Sequence, residues 1–232
     1  MILNKEIWNK SDIYEFNNYM YSLKNEDRID WTRNIVNTKH DVLAIKSDVI
    51  KDIAKNITKG NYVSFLDMCD FRYHEVTLVY VKVLAKIKDP IIFTKYLEKI
   101  FDIADSWATI DTIDFSIAIK NRDYFYNLAL GYIESDKEYI KRTGVRILFK
   151  YLNDEYIEKI IDIINNIDTS YYYVSMVVAW ILCEAMYTCR DYIISNINSI
   201  KVDDDTFKRF VSKCRDSYKI SDEDKKFLRG AR

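Results

Sequence analysis

The stretch "YLEKIFDIA" (96–104) returns sixty residues later as "YIEKIIDII" (156–164), with Tyr, Glu, Lys, Ile, Asp and Ile in register. Upstream, "LAK" (84–86) and "LFK" (148–150) match at a separation of 64, so the two connectors differ by four residues. A period of about 60 residues is too long for one helix pair and suits two pairs of about 30. Stacked pairs that bury their apolar sides against neighbours form a helical solenoid, and the repeat predicts that architecture.

Composition points the same way. The 232 residues include one proline and four glycines, too few for the corners of a many-stranded sheet, so an all-α fold is expected. Helical periodicity is interrupted by "TKGN" (58–61), "KDP" (88–90), "SDK" (135–137), "LND" (152–154) and "VDDD" (202–205). The segments between these breaks run to about 12 to 18 residues, the length of helices in antiparallel pairs. Five or six pairs in one domain, residues 1–232, are predicted, with no internal linker.

The net charge of −1 gives neither a global basic field nor an acidic tail. Four cysteines (Cys69, Cys183, Cys189, Cys214) and two histidines (His40, His74) stand at no metal-ligand spacing, so neither a zinc site nor a cofactor is expected. The opening "MILNKEIWNKSD" lacks a cationic-then-apolar signal pattern. The most apolar run, "VSMVVAWILCEAM" (174–186), carries Glu184 and falls short of the roughly 18 residues that span a bilayer. A reducing cytoplasm is the expected compartment, with no membrane association.

Three places break the apolar pattern. The first is "DSWATIDTID" (105–114). At 100° per residue, Asp111 lies about 40° round from Trp107, and Asp114 about 20° on the other side. Asp105 reads as a helix cap. Asp111 comes too late for that and has apolar neighbours, so it is paired or faces a wet groove; burial alone would cost several kcal/mol. The second is "EYIKRTGVRILFKYL" (138–152), where Arg142, Arg146 and Lys150 recur every four residues as a cationic stripe. The third is Trp180 in "YYYVSMVVAWILCEAM" (171–186). Taken singly, a tryptophan in an apolar helix belongs to the core and a basic stripe is a solvated face. His74 reads as structural, partnered by a backbone or carboxylate group.

Together, Trp107-x-x-x-Asp111, "IKRTGV" with Arg142, and "YYYVSMVVAW" ending at Trp180 resemble the AlkD-type DNA alkylation repair glycosylases. The likeness extends to "AIKSDVIKDIAKNI" (44–57), "RYHE" (72–75) and "KCRDSYKISDEDKKFL" (213–228), and covers residues 20 to 228. It implies a curved right-handed α–α superhelix of HEAT-like helix pairs. It also implies hydrolysis of the N-glycosidic bond of cationic N3- or N7-alkylated purines in double-stranded DNA, without a base-flipping pocket. Trp107 and Asp111 match the family's groove tryptophan and catalytic aspartate, Arg142 its phosphate-contacting arginine, and Trp180 its second groove tryptophan. Three departures stand out: Asp48 replaces a proline, Arg146 a usually apolar residue, and Asp114 adds a carboxylate.

The chemistry is consistent with those residue types. A purine already carrying positive charge leaves without a general acid, so the remaining demand is to stabilise the cationic sugar and deliver water. An ionised Asp111 meets that demand, and two indole faces would add to it. DNA contacts are expected among Arg142, Arg146, Lys150, Lys46, Lys51 and Lys82, with Lys55, Lys86, Lys208, Arg209 and Lys213 as further candidates; about half face solvent only. The expected state is a monomer with no obligate protein partner. Two rival readings use the same solenoid: a non-catalytic binder of branched or damaged DNA, and a scaffold for another protein.

Overall fold

The computed structural model describes residues 1–231, and among them it is all-helical, with fourteen α-helices and no strands. The chain divides into two compact units, Met1–Ile117 and Ala118–Arg232. The first contains α1 (Lys10–Ser22), α2 (Ile29–Val36), α3 (Ser47–Ile57), α4 (Tyr62–Met68), α5 (His74–Leu84), α6 (Pro90–Glu98) and α7 (Trp107–Asp111). The second contains α8 (Arg122–Ile133), α9 (Glu138–Leu148), α10 (Ile157–Asn166), α11 (Tyr172–Thr188), α12 (Arg190–Ser195), α13 (Asp204–Asp216) and α14 (Asp222–Gly230). No helix among the described residues is long and apolar enough to cross a membrane.

Local chemistry sets many of the boundaries. Asn9 and Asp12 form a capping box at α1, and Asp89 caps α6 just ahead of Pro90 at its first turn. Asn61, Ser106, Asp203 and Ser221 accept backbone N–H groups at the starts of α4, α7, α13 and α14. Asp48 sits in the first turn of α3, where a negative charge complements the helix end.

The breaks that the sequence pattern misses occur at residues that adopt left-handed backbone without being glycine. Asn37, Ala44 and Phe71 have φ of 49°, 56° and 54°. For Ala44 and Phe71 this conformation costs about 1–2 kcal/mol, so surrounding contacts must hold it. Around Ala44 the holder is Glu75, buried on α5, whose carboxylate accepts the Leu43 and Ala44 N–H groups at 2.9 and 2.7 Å. Burial raises the Glu75 pKa above the ordinary carboxyl range, and those N–H groups pull it back down.

The matched stretches 96–104 and 156–164 occupy different structural positions. Tyr156 precedes α10, and Ile157, Ile160, Ile161 and Ile164 then form one buried stripe. In the earlier copy α6 ends at Glu98, the last fully buried residue of the stretch is Ile100, and the chain turns away. Phe101 and Ala104, at the positions of the buried Ile161 and Ile164, are only half-buried. Helix lengths also run from five to seventeen residues, a wider spread than even pairing predicts.

In the second unit α11 is apolar on nearly all sides and is the central helix, packed by α9 and α13. Gly144 lets α9 approach α8: a Cβ there would sit 2.7 Å from the Ala129 carbonyl oxygen and 2.8 Å from the Ile133 side chain. Gly144→Ala is expected to destabilise the protein by roughly 2 kcal/mol, since the obstructing atoms include backbone. Urea denaturation of the two proteins measures this, and an unchanged midpoint would contradict the packing.

Candidate active site

Helix α7 is the five-residue segment Trp107–Asp111, so Trp107 and Asp111 are its two ends, one turn apart on the same face. Both side chains are half-buried. The helix is held by the C-terminal end of α2. Ser106 caps it by accepting the Ala108 N–H at 3.2 Å, while its hydroxyl donates to the Val36 carbonyl at 2.5 Å. The Trp107 indole N–H donates to the Ile35 carbonyl at 3.1 Å. Its ring packs with Ile29 on Val36, Val42, Ala44 and Ala108. The indole is thereby fixed along one edge, and part of it stays accessible.

Asp105 is not the cap expected of it. Its carboxylate accepts the Thr38 hydroxyl and the Lys39 N–H, both at 2.6 Å, and ties down the irregular 37–46 segment, leaving the cap to Ser106. Nε2 of His40 lies 3.0 Å from the Ile103 carbonyl.

Asp114 does not share the Trp107–Asp111 face, because α7 ends before it. It is exposed, and its carboxylate accepts the Ser116 N–H at 2.9 Å and the Ser116 hydroxyl at 2.6 Å, starting the 3-10 turn Ser116–Ile119. The periodic reading ran one turn too far through a segment with no glycine or proline to mark the stop.

In the second unit the predicted cationic stripe is not a solvated face. Arg142, on α9, is 4% exposed, and its guanidinium donates to the Tyr173 carbonyl at the start of α11. Arg146 is half-buried, its guanidinium 4.6 Å from the centroids of both Phe149 and Trp180. Those two rings meet edge-on at 4.9 Å. Half-buried Lys150 lies past the end of α9, in the turn Phe149–Tyr151. The stripe faces inward because α9 packs against α11 along that side. Trp180 therefore does not present two open ring faces: one carries a cation of the protein itself.

The other expected DNA contacts differ in access. Lys46, Lys51, Lys55 and Lys86 are exposed, and Lys82 is half-buried on α5. Lys46 lies just ahead of α3, two residues from Ala44 of the cluster under Trp107. Lys208 is engaged by Asp205 at 3.6 Å. Arg209 donates to the Ser175 hydroxyl at 2.6 Å and stacks on Tyr172 at 5.1 Å, an aromatic–arginine contact that no spacing rule indicates.

Once these helices, the Trp107–Asp111 pair and the inward-facing arginines are seen, the class is that of a helical protein with an aromatic–carboxylate site and scattered cations. Matched over residues 17–213 by the model of the DNA alkylation repair enzyme family, the chain belongs to that family. Its chemistry falls accordingly within DNA repair, with DNA as the partner the family implies. No curated protein matches the chain.

The segment that steadies α7 is tied to a titrating residue of α5, whose backbone N–H donates to the Asp41 carbonyl at 2.9 Å. His74 is 1% exposed, and burial lowers its pKa to about 4, with Asp105 pulling it upward and His40 pushing it down. A histidine with a lowered native pKa binds its proton first in the unfolded chain, so stability is full above about pH 6.5 and is lost as pH falls towards 4. That shift is worth about 3 kcal/mol at its fullest. Glu75, raised by burial, acts in the opposite sense and is common to both proteins in the comparison. Between pH 7 and 4, the wild type is expected to lose roughly 3 kcal/mol of stability relative to His74→Phe by urea denaturation; parallel pH profiles would contradict it.

Proposed function

We propose that the protein is a DNA glycosylase that hydrolyses the bond between deoxyribose and cationic N3- or N7-alkylated purines in duplex DNA. The observation that carries this reading is the Trp107–Asp111 pair, one turn apart and accessible on a helix tied down by Ser106 and Ile35. Family membership supports it independently. We read the helices as those of a HEAT-like, DNA-binding domain.

In this mechanism the alkylated base departs with its bonding electron pair and needs no proton, because the departing purine is already cationic. The sugar becomes oxocarbenium-like, and Asp111 stabilises that charge. At about 4 Å and an effective dielectric near 20, a carboxylate offers roughly 4 kcal/mol to a developing cation, or about a thousandfold in rate. Asp111 also orients the water that attacks the anomeric carbon and accepts its proton. The Trp107 ring covers one side of the sugar and excludes bulk water. Trp180 contributes chiefly by holding Arg146, since a guanidinium already lies against its ring. Phosphate contacts fall to the exposed Lys46, Lys51, Lys55 and Lys86, while buried Arg142 donates to the Tyr173 carbonyl and steadies the start of α11.

Single-turnover release of 7-methylguanine from methylated DNA tests the reading. The wild type releases the base, and Asp111→Asn slows release by about a thousandfold. Asp114→Asn changes it little, because that side chain serves the turn at Ser116. Absence of release by the wild type, or equal release by wild type and Asp111→Asn, would overturn the glycosylase. Salt-sensitive DNA binding without release would assign the protein to the non-catalytic binders.

A further inference from the structure

We propose that Arg28 and Trp31 form a second nucleotide contact beside Trp107, a base or sugar resting on the indole and a phosphate on the guanidinium. This rests on the DNA binding proposed above and concerns a site outside the residues assigned to it.

The four tryptophans are not alike. Trp8 is buried, and Trp107 and Trp180 are half-buried, whereas Trp31 is 58% exposed. A single exposed apolar side chain needs no explanation. Trp31 is not single: Ile35, 44% exposed, lies one turn further along α2 on the same side. Arg28, immediately before α2, holds its guanidinium 4.7 Å from the Trp31 ring centroid. The ring is thus oriented by a cation on one face and open to solvent elsewhere.

Position selects the partner. Helix α2 buttresses the candidate active site: its Ile35 carbonyl receives the Trp107 indole N–H, and its Ile29 and Val36 pack with the Trp107 ring. Trp31 and Ile35 lie on the side of α2 away from Ile29 and Val36, so they take no part in the packing under Trp107, and a strand leaving Trp107 past the Ile35 carbonyl meets them next. Charge narrows the mode of contact. Glu26 engages Lys24 at 3.2 Å and Asp30 engages Arg33 at 3.5 Å, so acids and bases nearly cancel around the patch. Arg28 has no carboxylate partner among the described residues and is the cation left for a phosphate. Recognition here would come from stacking with one charge contact, the combination by which proteins hold unstacked nucleotides.

The probe is a short fluorescein-labelled duplex containing one abasic-site analogue, titrated by anisotropy at several salt concentrations. Trp31→Ala is expected to weaken binding about tenfold with an unchanged salt slope, because stacking releases no counterions. Arg28→Ala is expected to weaken binding and lower the log–log slope by about 0.9, the value for one phosphate contact. Tyr218→Ala, an exposed aromatic of the other unit, binds like the wild type. All three variants keep the wild-type unfolding midpoint, which separates a lost contact from a lost fold. If the wild type binds and Trp31→Ala binds equally well, this inference is overturned and the Trp107–Asp111 reading stands. If Trp31→Ala instead converts a sedimenting dimer to monomer without changing DNA affinity, the patch belongs to a second copy and the inference is likewise overturned. If the wild type does not bind DNA at all, both readings fall.

Discussion

Everything proposed at α7 depends on how the end of α2 and the irregular backbone after it, residues 35–46, are satisfied. Five side chains hold them: the Trp107 indole, the Ser106 hydroxyl, the Asp105 carboxylate, the His40 ring and, from the far side, the Glu75 carboxylate. A buried peptide group left without a partner costs about 1–3 kcal/mol, and a five-residue helix has no stability of its own. The contacts therefore serve two purposes at once. They allow left-handed backbone at Ala44, and they fix where Trp107 and Asp111 point.

That constraint explains which parts of the molecule can be read from the sequence. The all-helical class follows from scarce glycine and proline, and the connectors at 58–61, 135–137 and 152–154 fall between observed helices. The i, i+4 relation of Trp107 and Asp111 survives because it needs only one helical turn. What periodicity could not supply is the end of α7, since "ATIDTID" holds no glycine or proline to mark a stop. The stop comes from Asp114, whose short side chain favours a new turn at Ser116 over another turn of helix. Nor could it show that the two matched nine-residue stretches differ, the first closing a helix at Glu98 and the second forming one from Ile157.

The arginines show the same limit from the other direction. Spacing every four residues reads as a solvated stripe until the partner helix is known, and α11 supplies a carbonyl for Arg142 and a ring for Arg146. A guanidinium on Trp180 alters the electrostatics proposed for catalysis. With Arg146 already against it, that ring is a poorer partner for a second cation.

The central claim is that Asp111 recognises positive charge on the sugar, and transition-state mimicry tests it most directly. Duplexes carrying either a cationic pyrrolidine or the neutral tetrahydrofuran at one abasic position should be compared by competition binding. The wild type is expected to favour the cationic duplex by roughly a hundredfold, since an analogue of the transition state is bound in preference to its neutral counterpart. Asp111→Asn is expected to lose that preference while still binding both. Equal affinity of the wild type for the two duplexes would contradict the account.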